Sequence, residues 1–174
     1  ATLEEIKEAV ETIKECGNDQ TILLHCILCY PTKDEDANLS MIGNLKNQFP
    51  NSIIGLSDHT LGTDIPIAAV AFGAEIIEKH YTVDKSLPKS ADHWLSVDPI
   101  ELKQIVDGTA RVKKAIGLTW PRPLDCEIPT RSNARRSVVA AQTIKAGSTI
   151  SSDMLTCKRP GTGLKPNKLE SLIG

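Results

Sequence analysis

Apolar residues recur at helical spacing over residues 2–16 and again over 38–48, and a short apolar run follows each stretch. Thr2 is a suitable N-cap for the first helix, Glu5 completes a capping box, and Gly17 ends the helix. The two following runs, 21–29 and 53–57, are nearly continuously apolar. Such runs are typical of parallel strands that are buried on both faces.

The same alternation continues with a helix over 65–73 and a strand over 74–82. A polar loop over 84–97 leads to a helix that ends near 116, for which Asp98 is the N-cap and Pro99 the first residue. The order α-β-α-β-α-β-α predicts an α/β fold of parallel strands with helices packed outside. A doubly wound sheet and a TIM barrel both fit this order. Because three strands fall short of eight, we expect residues 1–117 to be part of a larger domain.

The character of the chain changes after Gly117. Residues 118–135 are rich in proline and charge and show no period, which predicts a linker. Residues 136–174 predict a small, mostly β second domain that is incomplete at its end. Its strands are expected at 137–141, 144–148 and 153–161.

Composition excludes several classes of function. Of the 174 residues, 40% are hydrophobic, and the net charge of −2 comes with scattered basic residues, so neither nucleic acid nor a membrane surface is an expected partner. No apolar run reaches the ~20 residues of a membrane span. The five irregularly spaced cysteines favour a reducing cytoplasm. Cys26 and Cys29 fall on opposite faces of a predicted strand, which argues against a redox or zinc motif.

Polar residues follow each predicted strand: Tyr30 after the first, residues 57–60 after the second and His80 after the third. Ligands bind at the carboxyl ends of strands in parallel α/β folds, so these residues indicate an active site. His59 and His80 end consecutive strands, which lie about 4.8 Å apart when they are neighbours. Their imidazoles could share one metal ion suited to Lewis-acid catalysis, or each could simply hydrogen-bond the loop backbone.

Three further positions carry possible chemistry. Asp92, followed by His93, could orient a polar ligand or transfer a proton, or lie in a solvated loop. Ser57 could offer its hydroxyl and N–H to an anion. Arg159 precedes Pro160 in a glycine-flanked loop, which could bind an anion or form an ordinary surface turn.

Two other candidates are interpreted as structural. His25 lies inside a strand run, where a hydrogen-bonded core histidine is a more natural reading than a metal ligand. Lys79 points away from His80 if the strand continues, because successive side chains alternate between faces. Neither residue is therefore predicted to be catalytic.

Read together, these residues resemble the sialic acid synthase family. The matching segments extend across nearly the whole chain, and their ordered set is specific although no single segment is. They are residues 24–26 with 30–32, 54–60, 73–82, 92–93 with Ser96, 136–140 and 158–163.

The resemblance implies the C-terminal part of a TIM (β/α)8 barrel followed by a truncated antifreeze-like (SAF) domain. It implies that His59 and His80 bind a divalent metal, usually manganese, with magnesium or cobalt as alternatives. It places Ser57 at the phosphate of phosphoenolpyruvate, and Tyr30 and Asp92 near the acceptor sugar, with Asp92 also among the catalytic residues. Arg159 would reach the active site of a partner subunit, which implies a domain-swapped homodimer.

The family resemblance leads to a functional hypothesis. We expect a cytoplasmic N-acetylneuraminate synthase that condenses phosphoenolpyruvate with N-acetylmannosamine and releases phosphate, with this chain alone inactive. The chain departs from the family at two places: Leu28 stands where asparagine is common, and the loop 85–89 lacks a glycine that the family leads us to expect. The alternatives are a legionaminic or pseudaminic acid synthase, a non-catalytic saccharide-binding module, and a metal-dependent aldolase or isomerase.

Overall fold

The computed structural model describes residues 1–89 and 92–174. The chain divides into two compact units, Ala1–Gly117 and Leu118–Gly174. Each unit has a sheet of its own, three-stranded in the first and two-stranded in the second.

The first unit alternates helices and strands as the sequence predicts. The three strands form one parallel sheet in the order β1-β2-β3. Among the described residues, no helix is both long and apolar enough to cross a membrane. The elements are α1 (Leu3–Glu15), β1 (Ile22–Cys26), α2 (Ser40–Gln48), β2 (Ile53–Asp58), α3 (Asp64–Ala69), β3 (Ile76–Lys79) and α4 (Pro99–Ile116), with 3-10 turns at Asp34–Asp36 and Val70–Phe72.

Both predicted N-caps of the first unit are confirmed. The Thr2 hydroxyl accepts a hydrogen bond from the Glu5 N–H, and the Glu5 carboxylate accepts one from the Thr2 N–H. Asp98 and Glu101 form the same reciprocal box at the start of α4, where Asp98 also accepts from the Ile100 N–H. A cap of this kind typically stabilises a helix by about 1 kcal/mol. The sequence therefore fixes where α1 and α4 begin.

The apolar core lies between the sheet and the helices α1, α2 and α3. Its buried members are Ile42, Phe49, Ile54, Leu56, Ala69 and Ala74, and Leu3, Ile6 and Val10 of α1 pack against them. The central strand β2 is buried from Ile54 to Asp58. The prediction that β1 is buried on both faces was wrong, because only His25 of that strand is buried. In the described sheet β1 is an edge strand, and it is shorter than the predicted run 21–29.

The second unit pairs β4 (Ser137–Ala140) with β5 (Leu155–Lys158) in an antiparallel ladder. Residues 118–135, predicted to be an irregular linker, contain the helix α5 (Ile128–Ala134), whose Pro129 lies in the first turn, where proline is tolerated. The strand predicted at 144–148 was wrong. Gly147 there has a φ of +82° and lies in a turn closed by the hydrogen bond from the Ser148 N–H to the Lys145 carbonyl. The 3-10 turns are Asp125–Glu127, Ser152–Met154, Pro166–Lys168 and Glu170–Leu172.

Gly55 of β2 permits a close approach between strands. A Cβ at this position would lie 2.6 Å from the Ile76 carbonyl oxygen and 2.6 Å from the Leu24 side chain. We expect Gly55→Ala to lower the free energy of unfolding by about 1–3 kcal/mol, as overpacking does. The matched control is Gly43→Ala in α2, where the nearest atom is 3.7 Å away and alanine should stabilise the helix by about 0.5–1 kcal/mol. Urea unfolding followed by circular dichroism measures both, and equal stabilities would contradict this packing.

Candidate metal centre

Side chains at the ends of β2 and β3 alternate between two faces of the sheet, as strand geometry requires. Asp58 and Lys79 form a buried ion pair on one face. On the other face the Ser57 hydroxyl donates to the Glu78 carboxylate at 2.7 Å. His59 and His80, two residues after Ser57 and Glu78, also lie together. The predicted convergence of the two histidines is therefore confirmed.

The two imidazoles are 5.3 Å apart between ring centroids and are inclined by 72°. His59 Nδ1 lies 2.8 Å from the Ile27 carbonyl oxygen. Because a carbonyl oxygen only accepts hydrogen bonds, Nδ1 carries a proton, and in the neutral ring the lone pair is therefore on Nε2. His80 Nδ1 faces the Asp92 carboxylate at 3.8 Å. Both rings thus turn Nδ1 toward an acceptor of the protein, which is the usual arrangement behind a metal-binding Nε2.

The donor set fits a divalent metal bound by two protein ligands. Imidazole suits Mn, Fe, Co, Ni and Zn ions, and two protein ligands leave positions for substrate or water. Among residues 1–89 and 92–174, no group of three or more His, Cys, Asp or Glu side chains is arranged to hold an ion. The metal itself stays a prediction.

The backbone of each histidine is held by a neighbouring segment. The Thr32 N–H donates to the His59 carbonyl at 2.9 Å. The Val97 N–H donates to the His80 carbonyl at 2.8 Å, and the Thr82 N–H donates to the Val97 carbonyl at 2.9 Å. The loop that follows β3 therefore returns to the end of its own strand, and both imidazoles project from fixed backbone.

Tyr30 lies against the histidine pair. Its ring centroid is 4.1 Å from that of His59 and 5.7 Å from that of His80, and half of its surface is exposed. Cys26, which sequence reasoning did not select, places Sγ 4.0 Å from His59 Nδ1. Cys26 ends β1 in register with Ser57. Its place at a strand end could have indicated from the sequence that it lies near the histidines.

Asp92 is held beside His80 by the loop around it. The Ser96 hydroxyl and N–H both donate to the Asp92 carbonyl, at 2.7 Å and 3.1 Å. His93 shares a hydrogen bond of 2.8 Å with the Thr82 hydroxyl. The segment 92–96 is thus a hydrogen-bonded turn that places Asp92 beside His80. The catalytic and sugar-binding role of Asp92 stays a prediction.

The start of the same loop is acidic and tied to α4. Hydrogen bonds from the Ser86 hydroxyl and N–H lower the pKa of Asp84 below its ordinary value, so this exposed carboxyl is ionised at neutral pH. Lys85 forms an ion pair with Glu101 at 2.6 Å. The loop is therefore anchored at the first turn of α4.

Ser57 does not present a free hydroxyl, because this hydroxyl donates a hydrogen bond to the Glu78 carboxylate. Contact between Ser57 and a phosphate stays a prediction, and it would require this hydrogen bond to change. Glu78 was missed because sequence reasoning considered the residues that follow strands. Its spacing of two from His80 places it on the same face and could have revealed it.

Arg159 follows β5 in the second unit, in a structured loop. The Ser137 hydroxyl donates to the Pro160 carbonyl at 2.7 Å and accepts from the Gly163 N–H at 2.8 Å. The Gly161 N–H donates to the Ser132 carbonyl of α5 at 2.9 Å. These bonds fix the loop that follows the arginine, whose role stays a prediction.

Comparison with known proteins decides the family. Residues 1–119 match the NeuB family, and residues 135–174 match the SAF domain. This chain belongs to the NeuB family. The predicted resemblance and fold class, part of a TIM barrel followed by a SAF domain, are confirmed by these matches and by the parallel sheet.

Two relatives and one solved structure are similar to this chain in sequence or in fold. The N,N'-diacetyllegionaminic acid synthase of Legionella pneumophila is 39% identical over 176 residues, covering 99% of this chain and 49% of that protein. A pseudaminic acid synthase of Campylobacter jejuni is 38% identical over 174 residues, covering 100% and 50%. The citrate complex of N-acetylneuraminic acid synthetase from Leptospira borgpetersenii has a TM-score of 0.68 at 44% identity, covering 75% and 45%. The chain spans about half the length of the relatives it matches.

If the imidazole pair binds the metal, replacing His59 or His80 should weaken Mn2+ binding, whereas replacing His25 should not. In the complete protein that carries this chain, His59→Ala and His80→Ala should each weaken Mn2+ binding by more than the roughly 10–100-fold that loss of an outer-shell partner costs. The control is His25→Gln, because His25 is buried and hydrogen-bonds the Ala37 carbonyl instead. Isothermal titration with Mn2+ measures all three, and equal affinities would rule out the pair as the ligands.

Proposed function

We propose that this chain supplies the metal-binding half of a nonulosonic acid synthase. The enzyme condenses phosphoenolpyruvate with an N-acylated amino sugar, N-acetylmannosamine in the first instance, and releases phosphate. The observation that carries the proposal is the His59–His80 pair at adjacent strand ends with Tyr30 packed against it. The names of the NeuB-family relatives, which are synthases of legionaminic, pseudaminic and sialic acids, support the same reaction class.

The balanced reaction forms one carbon–carbon bond and breaks one phosphate ester. C3 of phosphoenolpyruvate attacks the aldehyde carbon of the open-chain sugar, water adds at C2, and phosphate leaves from C2. A divalent ion, with manganese as the first choice, would be held by Nε2 of His59 and His80 and would supply Lewis acidity toward the aldehyde oxygen. The two Nδ1 positions face protein acceptors and thereby direct the Nε2 lone pairs toward this centre.

The surrounding residues bind and orient the reactants in this proposal. Tyr30 offers an exposed aromatic surface and a hydroxyl to the acceptor sugar beside the histidines. Asp92, on the His80 side, accepts hydrogen bonds from sugar hydroxyls. Glu78 places a carboxylate on the same face, where it stabilises positive charge that develops at C2 during attack. Much of the barrier is removed by orientation of the two substrates.

The second unit has a part in the proposal as well. Its fixed loop presents Arg159, whose planar guanidinium suits carboxylate or amide recognition. We propose that this arginine acts in the active site of a second copy of the protein, within a homodimer. The match to the SAF domain supports this assignment.

The acceptor sugar has a second candidate. Relatives named for legionaminic and pseudaminic acid are 39% and 38% identical to the chain, close to the 44% of the sialic acid synthetase structure. The second candidate is therefore the acylated amino sugar from which legionaminic or pseudaminic acid is made. A panel of acylated amino sugars, each assayed with phosphoenolpyruvate, ranks the acceptors by kcat/KM.

Phosphate release tests the reaction. The complete protein should release phosphate only when phosphoenolpyruvate, an acylated amino sugar and Mn2+ are all present, and a chelator should abolish release. His59→Ala should lose this activity, whereas His25→Gln should keep it. If folded, Mn2+-loaded protein released no phosphate with any acylated amino sugar, the proposal would fail and a saccharide-binding module would become the better assignment.

A further inference from the structure

A buried ion pair lies directly behind the histidine pair, on the opposite face of the sheet. Lys79 Nζ is 2.5 Å from Asp58 Oδ2, and the two side chains are 5% and 2% exposed. The register of β2 and β3 pairs Asp58 with Lys79. These two residues immediately precede His59 and His80 in the chain. Buried ion pairs contribute little net stability compared with apolar packing, so the placement of this pair calls for another explanation.

Lys79 contacts the residues immediately before and after His59, which are Asp58 and Thr60. The ammonium group also donates to the Thr60 carbonyl at 2.6 Å. The Thr60 N–H and hydroxyl donate to the Asp58 carboxylate at 3.0 Å and 3.1 Å, which closes a turn around His59. One lysine thereby holds the residues before and after a candidate metal ligand, while its own backbone carries the other ligand, His80.

We propose that Lys79 is a positioning residue, which acts through Asp58 and Thr60 to set the separation and orientation of the His59 and His80 imidazoles. The inference rests on the proposed metal role of the two histidines. Two other contacts hold His59 against the segment that follows β1. The Thr32 N–H donates to the His59 carbonyl, and the His59 ring hydrogen-bonds the Ile27 carbonyl. The Lys79 contacts instead fix His59 relative to β3, and so determine the 5.3 Å between the two rings.

The test compares three variants of the complete protein with the wild type. Lys79→Met removes the ammonium but leaves the Asp58 carboxylate buried and unpaired, which also costs stability. The double variant Asp58→Asn, Lys79→Met removes both charges and keeps a side-chain oxygen for the Thr60 N–H. The control is Lys46→Met, which removes an exposed ion pair with Glu75, just before β3. Thermal unfolding of each variant separates folding from site geometry.

Two readouts respond to positioning and need no catalysis. Mn2+ titration followed by electron paramagnetic resonance should show a Kd about 10–100-fold weaker in the double variant, as for other losses of outer-shell support. In the metal-free protein labelled with 15N-histidine, the imidazole signals of His59 and His80 should shift in both Lys79 variants. Lys46→Met should match the wild type in both measurements.

The result that overturns the inference is a folded double variant with wild-type imidazole signals and a Kd within twofold of wild type. If the double variant fails to fold, Thr60→Val decides instead, because it is nearly isosteric and removes only the hydroxyl contact to Asp58. Unchanged imidazole signals in that variant would also overturn the inference. Wild-type protein that binds Mn2+ but releases no phosphate would refute the proposed function and leave this test intact.

Discussion

The parallel pairing of β2 with β3 is the constraint on which the candidate site depends. Its register places Asp58 opposite Lys79, so the next residues of the two strands, His59 and His80, leave the sheet together. A slip of one residue would turn one imidazole to the helix-covered face and separate the pair. Gly55 belongs to the same constraint, because only a residue without Cβ lets β2 approach β3 and the Leu24 side chain so closely.

The apolar core and the candidate site lie on opposite faces of this sheet. The face covered by helices holds the apolar core together with the Lys79–Asp58 pair, whereas the opposite face carries the histidines, Ser57 and Glu78. A strand allows this because neighbouring residues point in opposite directions. Asp58 and Lys79 are therefore the sequence neighbours of His59 and His80. Packing on the helix-covered face in this way constrains the positions of the two histidines on the other face.

The sequence was sufficient to predict the α/β order, both helix caps and the meeting of His59 with His80, because these follow from periodicity and strand ends. It was insufficient for contacts that depend on register or on the partner of a side chain, such as Ser57 with Glu78. Proline content led to a linker where α5 forms, since Pro129 occupies a first turn. The strand predicted at 144–148 failed because Gly147 adopts a left-handed turn.

The hydrogen bond from Thr32 to the His59 carbonyl has a consequence for enzymology. It joins the loop that carries Tyr30 to the backbone of a candidate metal ligand, and the Tyr30 ring rests on the same imidazole. In the proposed synthase, a change at Tyr30 would therefore also affect the candidate metal ligand His59. A Tyr30 variant with reduced turnover can reflect a lost sugar contact or a depleted ion, and only metal content measured on the same sample tells the two apart.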